Sequence, residues 1–298
     1  MYFLFKKNKL FQESIKLRPV EEFININLYR PLAFLVLLML LKLKINTKPE
    51  IIVVFHTFLI ILASFLILFE NNFINFVVFF LINLKIVLDN LDGQYSRIKK
   101  MESELGRYLD TIMDFFGNFT LFLSIGIKYN NSILAILAFF LFTIILSYDF
   151  NLEYLYRNIR NEQFRPNIKD NPNFMLNFLK GMYDFFLKPQ DDFIRYIENK
   201  AFQFFFSLIK RYKFNKFNEY INDLELENKL KEIFWHKNYL HITANMGLST
   251  QLFILSLMIL FNLEFYFFHF IFFEFLFLIL VFFIRILIIF FYGLFIRN

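Results

Sequence analysis

The chain has 298 residues, of which 58% are hydrophobic and 22% aromatic, with 49 Phe. Soluble domains average about 45–50% apolar even with glycine counted, so this composition excludes an ordinary soluble domain and indicates a membrane protein. Zero cysteines exclude disulfides, thiolate-held zinc and thiolate catalysis, and the net charge of +6 matters through where it sits along the chain.

The opening MYFLFKKNKLFQES puts a short apolar piece before its charges, the reverse of a cleavable signal peptide, and none is expected. Residues 1–30 are net basic. Pro31 can open a helix at its first position, and residues 31–46 are apolar but short of the ~20 residues that cross a bilayer. They are expected to form an interfacial or half-inserted helix on the cytosolic face, which completes an N-terminal part at 1–50. Apolar runs predict spans at 51–69, 73–91, 107–127 and 132–148, making a second part at 51–150. Residues 151–240 are polar and broken by Pro166, Pro172 and Pro189, and read as a helical cytosolic insert. Two more spans follow at 241–261 and 265–295, forming the part 241–298. The last run is either one long tilted helix or a helix with an interfacial tail.

The fold expected is therefore all-α, an integral membrane protein of about six spans. Six spans also put nearly every basic segment on one side. The connections near 70–72, 128–131 and 262–264 hold only Lys128, whereas the N-terminal arm, the 94–107 connection, the insert and Arg297 hold most of the rest. By the positive-inside rule both termini and the insert face the cytosol, as in a bacterial cytoplasmic membrane. This use of the basic residues leaves no reason to expect a nucleic-acid partner; the expected surroundings are the lipid bilayer.

Within this frame one stretch stands out. It reads Asp89-x-x-Asp92-Gly93-x-x-Ser96-Arg97, then eight residues to Gly106, then Asp110 and Asp114 at four-residue steps. Carboxylates at membrane depth cost about 2.5–3.5 kcal/mol each on insertion scales, so four at fixed offsets mark a site. Asp89 and Asp92 share one helical face, as do Asp110 and Asp114. Two antiparallel helices would bring the pairs together. Oxygen ligands without His or Cys select Mg²⁺, Mn²⁺ or Ca²⁺. Gly93 and Gly106 permit close approach, and Arg97 offers a fork suited to phosphate. A carboxylate-held cation beside an arginine suits a diphosphate.

This pattern closely resembles the signature of the CDP-alcohol phosphatidyltransferase family, D-x-x-D-G-x-x-A-R, eight residues, G-x-x-x-D-x-x-x-D. Every element matches except the alanine, which is Ser96 here. Thr47-x-Pro49 is also similar to the family's Thr-Pro-Asn before the first span, displaced and followed by Glu50. The resemblance implies that Asp89, Asp92, Asp110 and Asp114 ligate Mg²⁺ or Mn²⁺, two ions in all. It makes Asp114 the base that takes the acceptor's proton. Gly93, Ser96, Arg97, Asp92 and Gly106 would contact CDP. It further implies a CDP-activated lipid or alcohol and an acceptor alcohol as substrates, CMP as product, and a homodimer. Lys100 and Arg107 are candidates for a rim that holds the acceptor's phosphate, against the simpler reading of a solvated basic edge.

Several residues have plainer readings. Lys85, one turn before Asp89, is expected as an ion-pair partner or a snorkelling lysine. His236 and His241 suit interfacial anchoring, and Trp235 an aromatic belt. Arg285 lies deep in the last span, with no partner identifiable from sequence. A divalent-cation transporter also uses intramembrane carboxylates. It would place them near mid-bilayer with no nucleotide site, and the clustering beside Gly93 and Arg97 weighs against it. A scaffold with a vestigial site is disfavoured by the intact acid set.

Overall fold

The computed structural model describes residues 2–16, 18–69, 71–217 and 223–295, so Arg297 lies outside the described residues. Short helices α1 (Tyr2–Phe5) and α2 (Lys9–Ser14) lead, through wider π-type turns at Asn25–Tyr29, into α3 (Arg30–Lys42). The helices α4 (Pro49–Leu66), α5 (Asn72–Lys99), α6 (Glu104–Lys128) and α7 (Ser132–Asn158) follow. Next come α8 (Phe174–Phe186), α9 (Lys188–Phe217) and α10 (Asp223–Phe234), then α11 (Lys237–Ala244), α12 (Leu248–Leu260) and α13 (Tyr266–Phe295). No strand occurs among the described residues.

The ends of these helices are written locally. Pro49 opens α4 from within its first turn. Asn71, Ser103, Asn131 and Asn173 cap α5, α6, α7 and α8, each accepting a backbone N–H with its side-chain oxygen. At the C-terminus of α5, Lys100 adopts the left-handed conformation with φ 55°, and Met101 N–H donates to Ser96 C=O at 2.8 Å. That closure leaves only residues 100–103 between α5 and α6.

Among the described residues six stretches are long and apolar enough to cross a membrane: Asn25–Lys42, Pro49–Leu66, Asn72–Lys99, Ser132–Asn158, Leu224–Leu260 and Tyr266–Leu294. The chain is thus built as an integral membrane protein. Helix α6 is not in this set, because it carries Asp110 and Asp114. It nevertheless covers the full distance from the end of α5 to the start of α7, about 38 Å for 25 residues. Helix α3 continues the π-type turns without a break, so Asn25–Lys42 is an 18-residue stretch of about 27 Å, longer than the interfacial helix expected at 31–46.

Several boundaries differ from the sequence reading. The supposed connection at 94–107 is mostly helix, since α5 continues to Lys99 and α6 begins at Glu104. Helix α7 runs ten residues beyond Tyr148, because Leu152 and Leu155 continue its buried face. The fifth predicted span is two helices, α11 and α12, separated at 245–247 by Gly247. Of the two alternatives for the last run, α13 is one continuous helix.

Helix α5 lies at the centre, packed on α2, α3, α4 and α12, while α6 packs on α4, α7 and α8. The main core joins Ala63, Ile82, Leu121, Phe142 and Leu252 from these helices with Phe268 of α13. Helix α4 is apolar on its outer face, where Ile51, Phe55, Phe58 and Phe65 are exposed, and buries the polar residues His56, Thr57 and Ser64. Its moment is thus reversed relative to a soluble helix, as a lipid-facing helix with a polar interior requires.

The segment after α7 does not hang free of the bundle. Helix α8 packs on α6, and α9 packs on α7 and α13. Arg285, 1% exposed, finds its partner here, within the same chain. Its Nη1 and Nη2 bind Glu198 Oε1 and Oε2 on α9 at 2.9 and 2.8 Å, and Nε donates to Phe234 C=O at 3.0 Å. Tyr148 O–H and Trp235 Nε1–H also donate to Glu198, at 2.8 and 3.0 Å. Trp235 is therefore buried in this clasp rather than in an aromatic belt, because its indole N–H has a carboxylate to satisfy. His236 caps α11, its Nδ1 accepting from Asn238 N–H at 3.2 Å.

Removing one partner from this clasp leaves the other charge buried and unpaired, which typically costs about 3–5 kcal/mol. Glu198→Ala should therefore lower the thermal unfolding midpoint in detergent sharply. The double change Glu198→Leu with Arg285→Leu should restore most of it. Equal midpoints for Glu198→Ala and the parent protein would refute the clasp.

Candidate active site

The antiparallel order of α4, α5 and α6 puts one end of each at a common surface. Ser103, capping α6, donates from Oγ to Glu50 Oε1 at the start of α4, at 3.1 Å. From that surface His56 is seven residues into α4, Asp92 is seven residues before the end of α5, and Asp110 is six residues into α6. At 1.5 Å per residue all three lie at one level, about 10 Å in.

At that level the four aspartates converge, and they converge on a residue the sequence reading did not single out. His56 is completely buried. Its Nε2 lies 3.2 Å from Asp92 Oδ2, 3.7 Å from Asp110 Oδ1 and 4.0 Å from Asp89 Oδ1, and its Nδ1 lies 4.0 Å from Asp114 Oδ1. Lys85, also buried, places Nζ 2.7 Å from Asp114 Oδ1 and 3.5 Å from Asp89 Oδ1. It is an ion-pair partner and does not snorkel.

One ligand atom each from His56, Asp89, Asp110 and Asp114 lies within 4.8 Å of the others, a set able to hold a metal ion. Of the imidazole nitrogens, Nε2 has the hydrogen-bond partner, Asp92, and so carries the proton. Nδ1 then presents a bare lone pair toward a carboxylate, and both it and Asp110 Oδ1 are buried without a hydrogen-bond partner. Acceptors facing one another in this way fit a cation between them. The donor set is thus not oxygen alone, as the motif suggested, but includes one imidazole. A signal for His56 was present: an ionisable side chain inside an apolar run.

Above the acids a cavity of about 500 Å³ opens between α4, α5 and α6. Asp92 and Asp110 are in its wall with Gly93, Ser96, Arg97, Gly106 and Arg107, while Asp89 and Asp114 lie deeper. Lys100 is exposed at the end of α5 and does not line the cavity, because its left-handed turn points the chain away. Arg107 reaches across to the 166–168 loop, donating to Pro166 C=O at 3.4 Å and Ile168 C=O at 3.2 Å. Arg97 folds back over Gly93, where an added Cβ would lie 3.0 Å from Nη2, and its Nε donates to Ser14 C=O. The glycine thus makes room for the guanidinium. Ser96 Oγ turns inward to Gly93 C=O at 3.0 Å. Gly106 leaves room for the Ser103 cap, since a Cβ there would sit 2.8 Å from Ser103 Oγ.

Two further cations reach the cavity from distant parts of the chain, Lys16 from the N-terminal arm and Arg165 from the loop after α7. Arg18 anchors the arm by binding Asp149 and Glu153 of α7, both at 2.8 Å. Burial pushes the Lys16 ammonium down to about 8, with Glu153 opposing the shift and Arg165, Arg18 and Arg157 adding to it. Burial also lowers the Arg165 guanidinium, helped by Arg107. Folding has brought together cations that solvent would otherwise separate, as an anion site requires. The cavity therefore has an acidic floor for a cation and a basic rim for an anion.

An all-helical membrane bundle with a buried carboxylate cluster under a cationic rim defines a class of site suited to metal-bound phosphates. Comparison with known proteins narrows this class. Residues 46–171 match the sequence model of the CDP-alcohol phosphatidyltransferase family, whose members are transferases of substituted phosphate groups in phospholipid synthesis, and over that segment the chain is similar to them. An uncharacterized protein of Aquifex aeolicus (strain VF5) is 33% identical over 86 residues, or 29% of this chain. The chain spans 42% of the length of that relative.

The seating of α6 on α4 depends on Gly117, where a Cβ would come within 2.5 Å of Ile60 Cγ2. Gly117→Ala should force the helices apart and cost about 1–3 kcal/mol. Because the same contact holds His56 against Asp110 and Asp114, Mn²⁺ affinity should fall with the unfolding midpoint. Gly181→Ala, with nothing within 4 Å, is the control that should change neither.

Proposed function

We propose that the chain transfers a substituted phosphate from a CDP-activated alcohol, with diacylglycerol as the activated alcohol, to an acceptor hydroxyl and releases CMP. The observation that carries this reading is the single cavity with carboxylates below and Lys16, Arg97, Arg107 and Arg165 around its mouth. A diphosphate held at a divalent cation needs both halves. A cation transporter needs only the acids, and the rim of four cations would oppose its cargo.

In this reading the acceptor oxygen attacks the β-phosphorus of the CDP-alcohol, and the bond from that phosphorus to the oxygen of CMP breaks. Asp114 takes the acceptor's proton, which is general-base catalysis. Its Oδ1 is paired with Lys85, and a carboxylate has lone pairs to spare on its second oxygen. Asp89, Asp92 and Asp110 with His56 would hold Mg²⁺ or Mn²⁺, which supplies charge neutralisation at the diphosphate. Gly93, Ser96 and Gly106 shape the wall against CDP, and Arg97 and Lys16 bind its phosphates. Arg107 steadies the 166–168 loop and holds the acceptor side of the rim. Of the two rim candidates from sequence, Lys100 has no place in the cavity wall.

The apolar outer faces of α4 and α5 support lateral access for a lipid tail from the bilayer, and the basic arm and rim support a cytosolic mouth. A second copy of the chain is the proposed assembly partner. Within the fold, the segment 151–240 serves to wall the cavity and brace α6, since Asp170 Oδ2 accepts from Leu105 N–H at 2.8 Å and Lys180 pairs with Glu104 at 2.9 Å.

Purified protein should release CMP from CDP-diacylglycerol when offered a panel of small alcohols, only with Mg²⁺ or Mn²⁺ present. Asp114→Asn should reduce the rate by about 10²–10⁴-fold, the usual range for a positioned base. No CMP from any donor and acceptor pair would exclude the assignment. Affinity for CDP should also fall as pH rises through about 8, because the Lys16 ammonium loses its charge there. In Lys16→Met, isothermal titration should show weaker binding without that step.

A further inference from the structure

Helices α8 and α9 belong to the polar segment that reads from sequence as a cytosolic insert, yet their contacts carry them below the mouth of the cavity. Helix α8 runs beside α6 in the same direction. Lys180 pairs with Glu104 at 2.9 Å, Tyr183 meets Tyr108 at 5.6 Å between ring centroids, and Phe186 meets Phe115 and Phe116 at 5.2 and 5.7 Å. After Leu187 the chain reverses. Asp191 binds Ser147 Oγ of α7, Phe205 meets Phe290 of α13 at 6.1 Å, and Ile209 packs on Gly293. Helix α13 starts on the far side, because Glu264 binds Lys128 at the end of α6 at 2.6 Å. So α9 climbs back with α13 toward the mouth.

The turn between α8 and α9 is deep. Phe116 is twelve residues before Lys128, and Ser147 is fifteen after Ser132. The turn is thus about 18 Å from the far end of α6 and about 22 Å from that of α7, inside a bilayer core of about 30 Å by either count. Its backbone suits that depth. Leu187 N–H donates to Tyr183 C=O at 3.0 Å, and the N–H groups of Gln190 and Asp191 donate to Leu187 C=O at 3.1 and 3.2 Å. Charges beside the turn are matched as well. Asp184 pairs with Lys188 at 3.1 Å, and Asp191 Oδ2 accepts from Tyr183 O–H at 2.6 Å.

The outward surface is apolar. Phe174, Phe178 and Phe185 form an exposed stripe on α8, and Phe193, Ile197, Phe204 and Leu208 form one on α9. The exposed polar residues Asp192, Asn199 and Gln203 keep to another flank of α9. Between α9 and α13 lies a groove of about 380 Å³, with Phe193 and Ile197 on one rim and Ile279 and Phe283 on the other. The groove therefore opens onto the exposed apolar face of α13, which the bilayer covers.

We propose that α8 and α9 are a re-entrant hairpin in the leaflet on the side of the cavity mouth, with lipid acyl chains covering both stripes and filling the groove beside α13. Depth and continuity with α13 choose lipid as the occupant, since water at this surface would meet bare phenylalanines. A hairpin held this way grips α6 from the lipid side through Lys180 and Glu104. The inference stands apart from the phosphotransferase reading.

The chain has no cysteine, so single spin labels can be placed without other changes. The full chain in lipid nanodiscs would carry a label at Phe178→Cys, Phe185→Cys or Ile197→Cys. Phe283→Cys on α13 is the lipid reference, and Asn167→Cys in the loop before α8 is the water reference. At the three hairpin sites dissolved oxygen should enhance relaxation several-fold more than a water-soluble nickel chelate, as at Phe283→Cys. Nickel access equal to that at Asn167→Cys would place the hairpin in water and overturn the inference. Exclusion of both reagents with spin–spin broadening between chains would mean that a second copy covers the stripes, which also overturns it. A membrane-confined carbene reagent tests the unaltered protein. It should modify peptides from 174–186 and 193–208, and their absence from the labelled set would refute the hairpin.

Discussion

The structure is governed by one electrostatic constraint: four carboxylates from two helices are gathered within a few ångströms, away from bulk water. Left to themselves they would push α5 and α6 apart. The chain answers with Lys85 across Asp89 and Asp114, and with a protonated Nε2 of His56 against Asp92. These two contacts hold the acid cluster together before any substrate arrives. Because His56 comes from α4, the repulsion is absorbed by three helices and not by two.

The rest of the molecule serves to keep that cluster at its depth. Close packing of Gly117 against Ile60 fixes α6 on α4, and the short turn after Lys99 fixes α6 on α5. The N-terminal arm and the segment after α7 then meet over the cavity, bringing Lys16 and Arg165 to the same mouth. The Arg285 clasp ties α9 to α7 and α13, and so secures the segment whose preceding helix braces α6.

Much of this was legible in the sequence, and the boundary of what was legible follows from range. The acid spacing is local, so Asp89, Asp92, Asp110 and Asp114 could be placed on facing helices from offsets alone. Apolar runs located the membrane helices, although polar residues near their ends hid how far α5 and α7 continue. His56 was detectable as an ionisable group in an apolar run, but its partners lie on other helices and no spacing rule reaches them. Lys16 and Arg165 are separated from the motif by loops of irregular structure, so their arrival at the cavity is a property of the fold. Arg285 looked isolated for the same reason: Glu198 is 87 residues earlier in the chain.

The four-residue link between α5 and α6 has a consequence for how such a chain can change. Each residue of an α-helix turns the side chains by about 100°. A single insertion between Asp92 and Lys100, or between Ser103 and Asp110, would swing one acid pair away from the other, and so short a link has no slack to absorb it. The stretch from Ile159 to Asn173 carries no such phase relation and can vary in length around Arg165. Drift in length is therefore confined to the loops that close the mouth, while the helical phase of the floor stays locked.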